Sequence, residues 1–268
     1  MRTTIQTSLL TLACLASPSI AQKAPDITPP SNPVMTAGFL SGHPDLRFRL
    51  MGLREFKKQN YEEALQSFQR AAYYADKPSQ GMVAEMLWNG QGTQQDRALA
   101  YAWMDLAAER GYLPFLAKRE EYWSALSEQE RIRAVSEGQA IHGRYRDSVA
   151  QPRLDIVLRR ERRKVTGSRT GFVGSVQIYV PGPDGEFEQI DASKFYDPKY
   201  WDPKQYRAWH DAIWMKPRIG LVRVGEVEKV KDDEAVPSRV PATTPQTNAP
   251  EPRTPEKDET GLGTGKPA

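Results

Sequence analysis

Apolar residues recur at helical spacing through the first half of the chain. After Asn60-Tyr61, the positions Ala64, Leu65, Phe68, Ala71, Ala72 and Ala75 follow the i, i+3, i+4, i+7 rhythm of a helix with one buried face. A second unit carries Ala84, Met86, Leu87 and Trp88, then the turn Asn89-Gly90-Gln91-Gly92-Thr93, then Asp96 and a further apolar stripe over 99–111. Neither stripe can be buried alone, so neighbours are required. Upstream, a helix over about 45–59 places Leu46, Leu50 and Leu53 on one row and Phe56 on the next. With Asn60 as its turn, it predicts an αα-hairpin. Downstream, Leu113, Leu116 and Trp123 mark another helix. Ser127-Glu128-Gln129-Glu130 reads as a capping box that opens a longer helix through Ile132, Val135, Ile141 and Tyr145, limited by Pro152. A shorter helix over about 154–165, packing through Leu154, Val157 and Leu158, closes the stack.

Beyond Gly167 the period changes. Residues 172–180 and 186–190 alternate apolar and polar around the turn cluster Pro181-Gly182-Pro183-Asp184-Gly185, which predicts a β-hairpin with Asp184-Gly185 at its tip. A third strand is expected over 219–230, and a helix over 203–214 in an aromatic, charged segment. A sheet of two or three strands needs support from a neighbour. Residues 167–231 are therefore expected to form a small α+β appendage docked on a helical domain over 44–166.

The second helical unit resembles a Sel1-like repeat, and 60–72 resembles the second helix of a tetratricopeptide-type unit. Trp88, Gly90, Gly92 and Asp96 stand where the Sel1-like pattern carries an aromatic, a Gly-x-Gly turn and an acidic helix start. Ala100, Trp103, Ala107, Ala108 and Gly111 match the small, aromatic, paired-small and terminal-glycine positions of its second helix. Each has a physical reason. Glycine reaches positive φ at a sharp turn, a carboxylate suits a helix N-terminus, and alanine lets helices approach closely. The resemblance covers about a quarter of the chain with one clear unit, where repeat stacks usually need about three. It implies a mainly α fold: a short α-solenoid of antiparallel helix pairs with a C-terminal β-hairpin-containing appendage and disordered termini. It also implies protein–protein interaction through a concave face.

Composition adjusts this picture at the ends. The start, residues 1–21, combines Arg2, a short apolar run and Ser19-Ile20-Ala21, the form of a secretory signal peptide, so an exported, periplasmic protein is expected. That run is too short to span a bilayer, which needs roughly 20 apolar residues. Cys14, the only cysteine, lies within it, in a stretch that resembles a lipoprotein box but departs from it at Thr11 and Leu12. Residues 22–43 and 232–268 are rich in Pro, Ser, Thr and charge; they are expected to be a disordered leader and a disordered tail. Lys and Arg number 37 against 34 Asp and Glu, a net charge of +3, which does not suggest nucleic acid as a partner.

Candidate chemistry is sparse. His43, His142 and His210 are far apart, lack cysteine neighbours and offer no zinc spacing, so surface or half-buried histidines are expected. No nucleophile elbow occurs, and Gly261–Lys266 lacks the spacing of a phosphate loop. Asp232-Asp233 and Glu120-Glu121 sit in polar surroundings. Arg159–Lys164 reads either as a solvated helix end or as an anion site. The aromatic segment 195–214 has two readings. Its rings, with Tyr200, Trp201, Tyr206, Trp209 and Trp214 as the candidate partner-binding residues, could form a platform for peptidoglycan or a peptide. Alternatively the stripe Tyr206, Trp209, Ile213 fastens the segment to the helices. The expectation is a non-enzymatic adaptor with no catalytic residues, cofactor or metal, whose partner is another protein. A cell-wall glycan module is the alternative.

Overall fold

The computed structural model describes residues 36–166, 177–181, 187–215 and 237–252. Side chains are described for these residues except 164–166, 177–181 and 187–193. The signal segment with Cys14, the 167–171 loop, the hairpin tip, the third strand and Gly261–Lys266 lie outside the described residues. The protein is mainly helical, and helices adjacent in the chain pack against each other. None of the described helices is long and apolar enough to cross a membrane.

The unit that carries the family resemblance is two helices. The first, α4 (Lys77–Asn89), stops at Gly90, whose φ of 68° gives a left-handed cap. The next, α5 (Arg97–Ala107), starts where the Asp96 carboxylate accepts the Leu99 N–H at 2.9 Å. Gly92 is held by sterics as well as by φ. A Cβ there would lie 2.4 Å from the Tyr61 carbonyl carbon. A short 3₁₀ turn, Ala108–Arg110, ends at Gly111, also left-handed. Before α4 come α2 (Pro44–Lys57) and α3 (Tyr61–Ala72), which form the expected hairpin. After α5 come α6 (Leu113–Ala125) and α7 (Glu128–Tyr145), and α7 begins at the capping box formed by Ser127 and Glu130.

The main core gathers Phe68, Ala72, Val83, Met86, Ala100, Met104, Tyr112 and Phe115. Small residues set its spacing: a Cβ on Gly52 would meet the Phe68 ring at 2.6 Å, and one on Gly81 the Phe115 ring at 2.7 Å. The buried face of α7 is partly the expected one: Tyr145 is buried and Ile141 packs against the core, but Ile132 is exposed. Ala134 and Gly138 are buried as well, and Gly138 leaves room for Ala102 where α7 lies on α5.

Three expectations are corrected. The leader was expected to be disordered to residue 43, but α1 (Ala37–Gly42) forms after the Thr36 cap and buries Phe39 completely. The closing helix is longer than expected: α8 (Asp147–Thr166) runs through Pro152. Pro152 is the sixth residue of α8, past the free first-turn N–H groups, so it forfeits the bond its position would make to Ser148 O, and the helix continues through it. The third correction concerns the tail. Residues 237–252 have neither helix nor strand, yet they lie against α3, α5, α6, α7 and α8.

Two five-residue stretches, β1 (Gln177–Pro181) and β2 (Phe187–Asp191), pair antiparallel with Tyr179 opposite Gln189. They are followed by α9 (Ala192–Phe195), α10 (Pro198–Trp201) and α11 (Pro203–Trp214). These last helices join the N-terminal end of the stack. Their rings pack with Phe39, Leu46, Leu154 and Leu158 into a second core, so residues 195–214 are part of the helical body.

Candidate functional site

A groove along α7 is built from absences. A Cβ on Gly138 would stand 3.0 Å from Ala102 Cβ and 3.1 Å from Val240, and one on Gly143 would stand 3.1 Å from Thr243. Two glycines inside a helix cost it roughly 1 kcal/mol each relative to alanine. What they permit is the seating of residues 237–252, with Val240 only 4% exposed.

Polar contacts hold the segment at both ends. At its head, the Ser238 hydroxyl donates to the Asp105 carboxylate. Arg239 spans both oxygens of Glu120 at 2.9 and 2.6 Å, and also reaches the Tyr101 hydroxyl. Arg239 holds the Glu120 carboxyl below the usual carboxylate range, helped by Arg119. Further along, contacts go to the main chain. Gln246 N–H donates to Gly143 O at 2.7 Å. Arg146 donates to Thr243 O at 2.9 Å, Arg153 to Gln246 O at 2.9 Å and Arg144 to Pro250 O. The Tyr73 hydroxyl donates to Ala249 O at 2.6 Å, and Glu251 accepts from Arg70 at 3.0 Å and Tyr74 at 2.9 Å.

Proline has no N–H, so an extended proline-containing segment presents carbonyls in excess. A row of arginines answers that imbalance. Composition pointed to disorder because it measures whether a segment can build its own core. Here the core is already built by other elements, and the segment only lies on it. The signals that were available are the paired α7 glycines and Val240-Pro241 amid polar residues.

The five candidate partner-binding residues lie elsewhere and are largely interior. Tyr200, Trp201, Tyr206 and Trp214 are each at most 4% exposed, and Trp209 is half-buried. Trp201 covers Gly42, where a Cβ would lie 2.7 Å from its ring, and its indole N–H donates to Phe195 O at 2.7 Å. Trp214 stacks over Phe115 with centroids 5.5 Å apart. The accessible platform is corrected to a docking surface. The buried stripe of α11 is Pro203, Tyr206, His210 and Trp214, rotated from the one expected through Trp209 and Ile213. On α8 Arg159, Arg160 and Arg163 of the basic cluster are exposed, and Arg159 pairs with Asp155 and Arg160 with Glu161.

The histidines are a further correction, because all three are buried. The two ring nitrogens of His43 face the Phe39 and Tyr200 carbonyls at 2.7 and 2.8 Å, the neutral ring donating to one of them, and the ring stacks on Phe39. Burial lowers its pKa to about 4, against those two hydrogen bonds. His142 Nε2 lies 3.4 Å from Asp105, and burial lowers its pKa. His210 Nε2 lies 4.0 Å from Asp45 Oδ2; burial, with Arg49, Arg110 and His43 adding to it, pushes its pKa well down.

Asp45, Tyr206, His210 and Arg110 line a small cleft between α2, α8 and α11. Tyr206 donates to Asp45 at 2.7 Å. Burial, then the charge of Asp76, raises the Asp45 pKa to about 7. At the opposite wall the wholly buried Lys77 pairs with Glu109 at 2.6 Å and Asp147 at 3.1 Å, and Arg110 grips Asp147 at 2.6 Å. Burial would raise the Asp147 pKa, but Lys77 and Arg110 overcome it and hold the carboxyl at about 2. The cleft walls hold no Ser, Thr or Cys nucleophile. Asp211 does not join His210 there: it accepts from Tyr112 instead. Lys77, Glu109, Arg110 and Asp147 pair with one another across helices, while Asp45 Oδ1 and His210 Nε2 have no hydrogen-bond partner among the described residues. Among the described residues no cluster of His, Cys, Asp or Glu is arranged to hold a metal ion.

No family model, no curated protein and no solved structure matches this chain.

Proposed function

We propose that the chain is a non-enzymatic adaptor, exported to the periplasm, whose Sel1-like helical pairs hold an extended segment of another protein along α5 and α7. One observation carries the reading. The groove there already holds an extended segment, residues 237–252, chiefly through main-chain carbonyls. Carbonyl recognition tolerates many sequences, which suits a surface that takes a chain from elsewhere.

The test is direct. A labelled synthetic peptide of residues 237–252 is titrated by fluorescence anisotropy into the full chain carrying Val240→Asp, whose own segment is unseated at its anchor. Saturable binding, abolished by adding Gly143→Leu in the groove, is expected, because a Cβ at Gly143 meets only the segment itself. No binding at any peptide concentration would remove the adaptor reading. A peptidoglycan-binding reading has less support because four of the rings it would use are buried. Cosedimentation with peptidoglycan that is lost in a Trp209→Ala variant would bring it back.

A further inference from the structure

The groove has more donors than its occupant uses. Between Thr243 and Pro250 the segment reads Thr-Thr-Pro-Gln-Thr-Asn-Ala-Pro, with no charged side chain. It offers Arg144, Arg146 and Arg153 only neutral carbonyl oxygens. Each of these guanidiniums keeps a buried Nε–H with no acceptor among the described residues. None of the three is in an ion pair with a described carboxylate. Burial, with Arg144 alongside, pulls the Arg153 pKa below the ordinary arginine value. The one carboxylate in the occupying segment, Glu251, is gripped by both Arg70 and Tyr74.

A guanidinium pairs a carboxylate with two parallel hydrogen bonds, each roughly twice as strong as a neutral one. Thr244 and Gln246 are exposed and two residues apart, in the stretch whose main-chain oxygens at Thr243 and Gln246 accept from Arg146 and Arg153.

We propose that the groove selects an extended, proline-containing protein segment with an acidic body, carboxylates standing where Thr244 and Gln246 stand here. Its head is a hydroxyl, an arginine and an aliphatic residue, as in Ser238-Arg239-Val240. The chain's own neutral segment is a tethered occupant that such a partner displaces. This rests on the adaptor reading and adds the partner's chemistry and the groove's resting state to it. Because it belongs to the same chain, the resident segment seats itself in an intramolecular step. The incoming segment must therefore bind more strongly, and the unused donors provide the means.

Two synthetic peptides of residues 237–252 are compared by anisotropy, the native sequence and one carrying Thr244→Glu and Gln246→Glu. Both are titrated into the full chain and into the full chain with Val240→Asp. The acidic peptide is expected to bind the Val240→Asp chain at least tenfold more tightly, with a steeper loss of affinity in salt. It is also expected to compete with the resident segment in the unaltered chain, where the native peptide does so poorly. Arg146→Gln should shrink the advantage while the native peptide still binds. Equal affinities of the two peptides would overturn the acidic selectivity and leave the adaptor reading standing. An advantage that survives Arg146→Gln would overturn it too. Failure of both peptides to bind would instead remove the adaptor reading. A concentration-dependent dimer of the full chain dissolved by the native peptide would make the occupant a second copy's tail, contradicting the acidic partner.

Discussion

The two ends of the helical body are held together by different physics. Around α3, α4 and α5 the core is alanine, methionine and aromatic rings, and its buried ionic groups are paired with one another, Lys77 with Glu109 and Asp147 and Arg119 with Asp105. At the other end, α1, α2, α10 and α11 meet over rings interleaved with buried titratable groups: His43, Asp45 and His210 lie among Phe39, Trp201 and Tyr206. The first core depends on close approach and dispersion, the second on hydrogen bonds that must all be made in a low-dielectric interior. Volume changes should therefore damage the first core, while changes of protonation or of a single donor should damage the second.

The largest effect is expected from Phe68→Ala. Phe68 is fully buried, and its ring packs where Gly52 leaves room. Chemical denaturation should register a loss of about 3–5 kcal/mol, the usual cost of removing a buried ring. A loss below about 1 kcal/mol would mean that this core is not the stabilising one.

Next comes Tyr206→Phe, which removes no volume from the ring but withdraws the donor from Asp45. The expected loss is about 1–3 kcal/mol at neutral pH, the desolvation cost of a buried acceptor left without its partner. Because the change leaves packing intact, it isolates the hydrogen-bond dependence of the second core.

Asp45→Asn tests pH dependence. The Asp45 pKa is raised to about 7 in the folded chain, so its contribution is full below the unfolded value of 3.8 and is lost as pH rises toward 7. The His43 pKa is lowered to about 4, so its contribution is full above 6.5 and is lost as pH falls toward 4. The two slopes oppose each other. With Asn in place of Asp45, the carboxyl slope vanishes and stability should rise with pH between about 4 and 6.5. A denaturation series in that window checks it; a fall would contradict the assignment.

The smallest effect on global stability is expected from Val240→Asp. The segment lies across α3, α5, α6, α7 and α8 but contributes a single buried aliphatic side chain. Its release should shift the global unfolding midpoint by no more than a degree or two. The amide of Gln246, bonded to Gly143 O in the unaltered chain, should lose its hydrogen-exchange protection. A collapse of the fold would make the segment part of the core.

Some of this was legible in residue order. The left-handed turns at Gly90, Gly92 and Gly111, the Asp96 cap and the Ser127–Glu130 capping box lie within a few residues of the groups they serve. Local chemistry of that kind leaves a local signature. The rotation of α11's buried stripe did not, because Trp209 and His210 are about equally able to be buried and the choice was made by Asp45 and His43 across the interface. The strap over 237–252 was equally hidden. Its acceptors are carbonyls, which every residue carries, and its donors lie about a hundred or more positions away.

Residue order alone therefore decided the caps at Asp96 and Ser127, the glycine turns at Gly90, Gly92 and Gly111, and the apolar stripes of α3 and α5, since those depend on spacing of 3.6 and on groups within one turn. Tertiary structure decided which aromatic rings became core and which histidines lost contact with water. It also decided that a proline-bearing stretch would find a groove. Each of those outcomes depends on donors, acceptors and space supplied by distant elements, and no period along the chain encodes them.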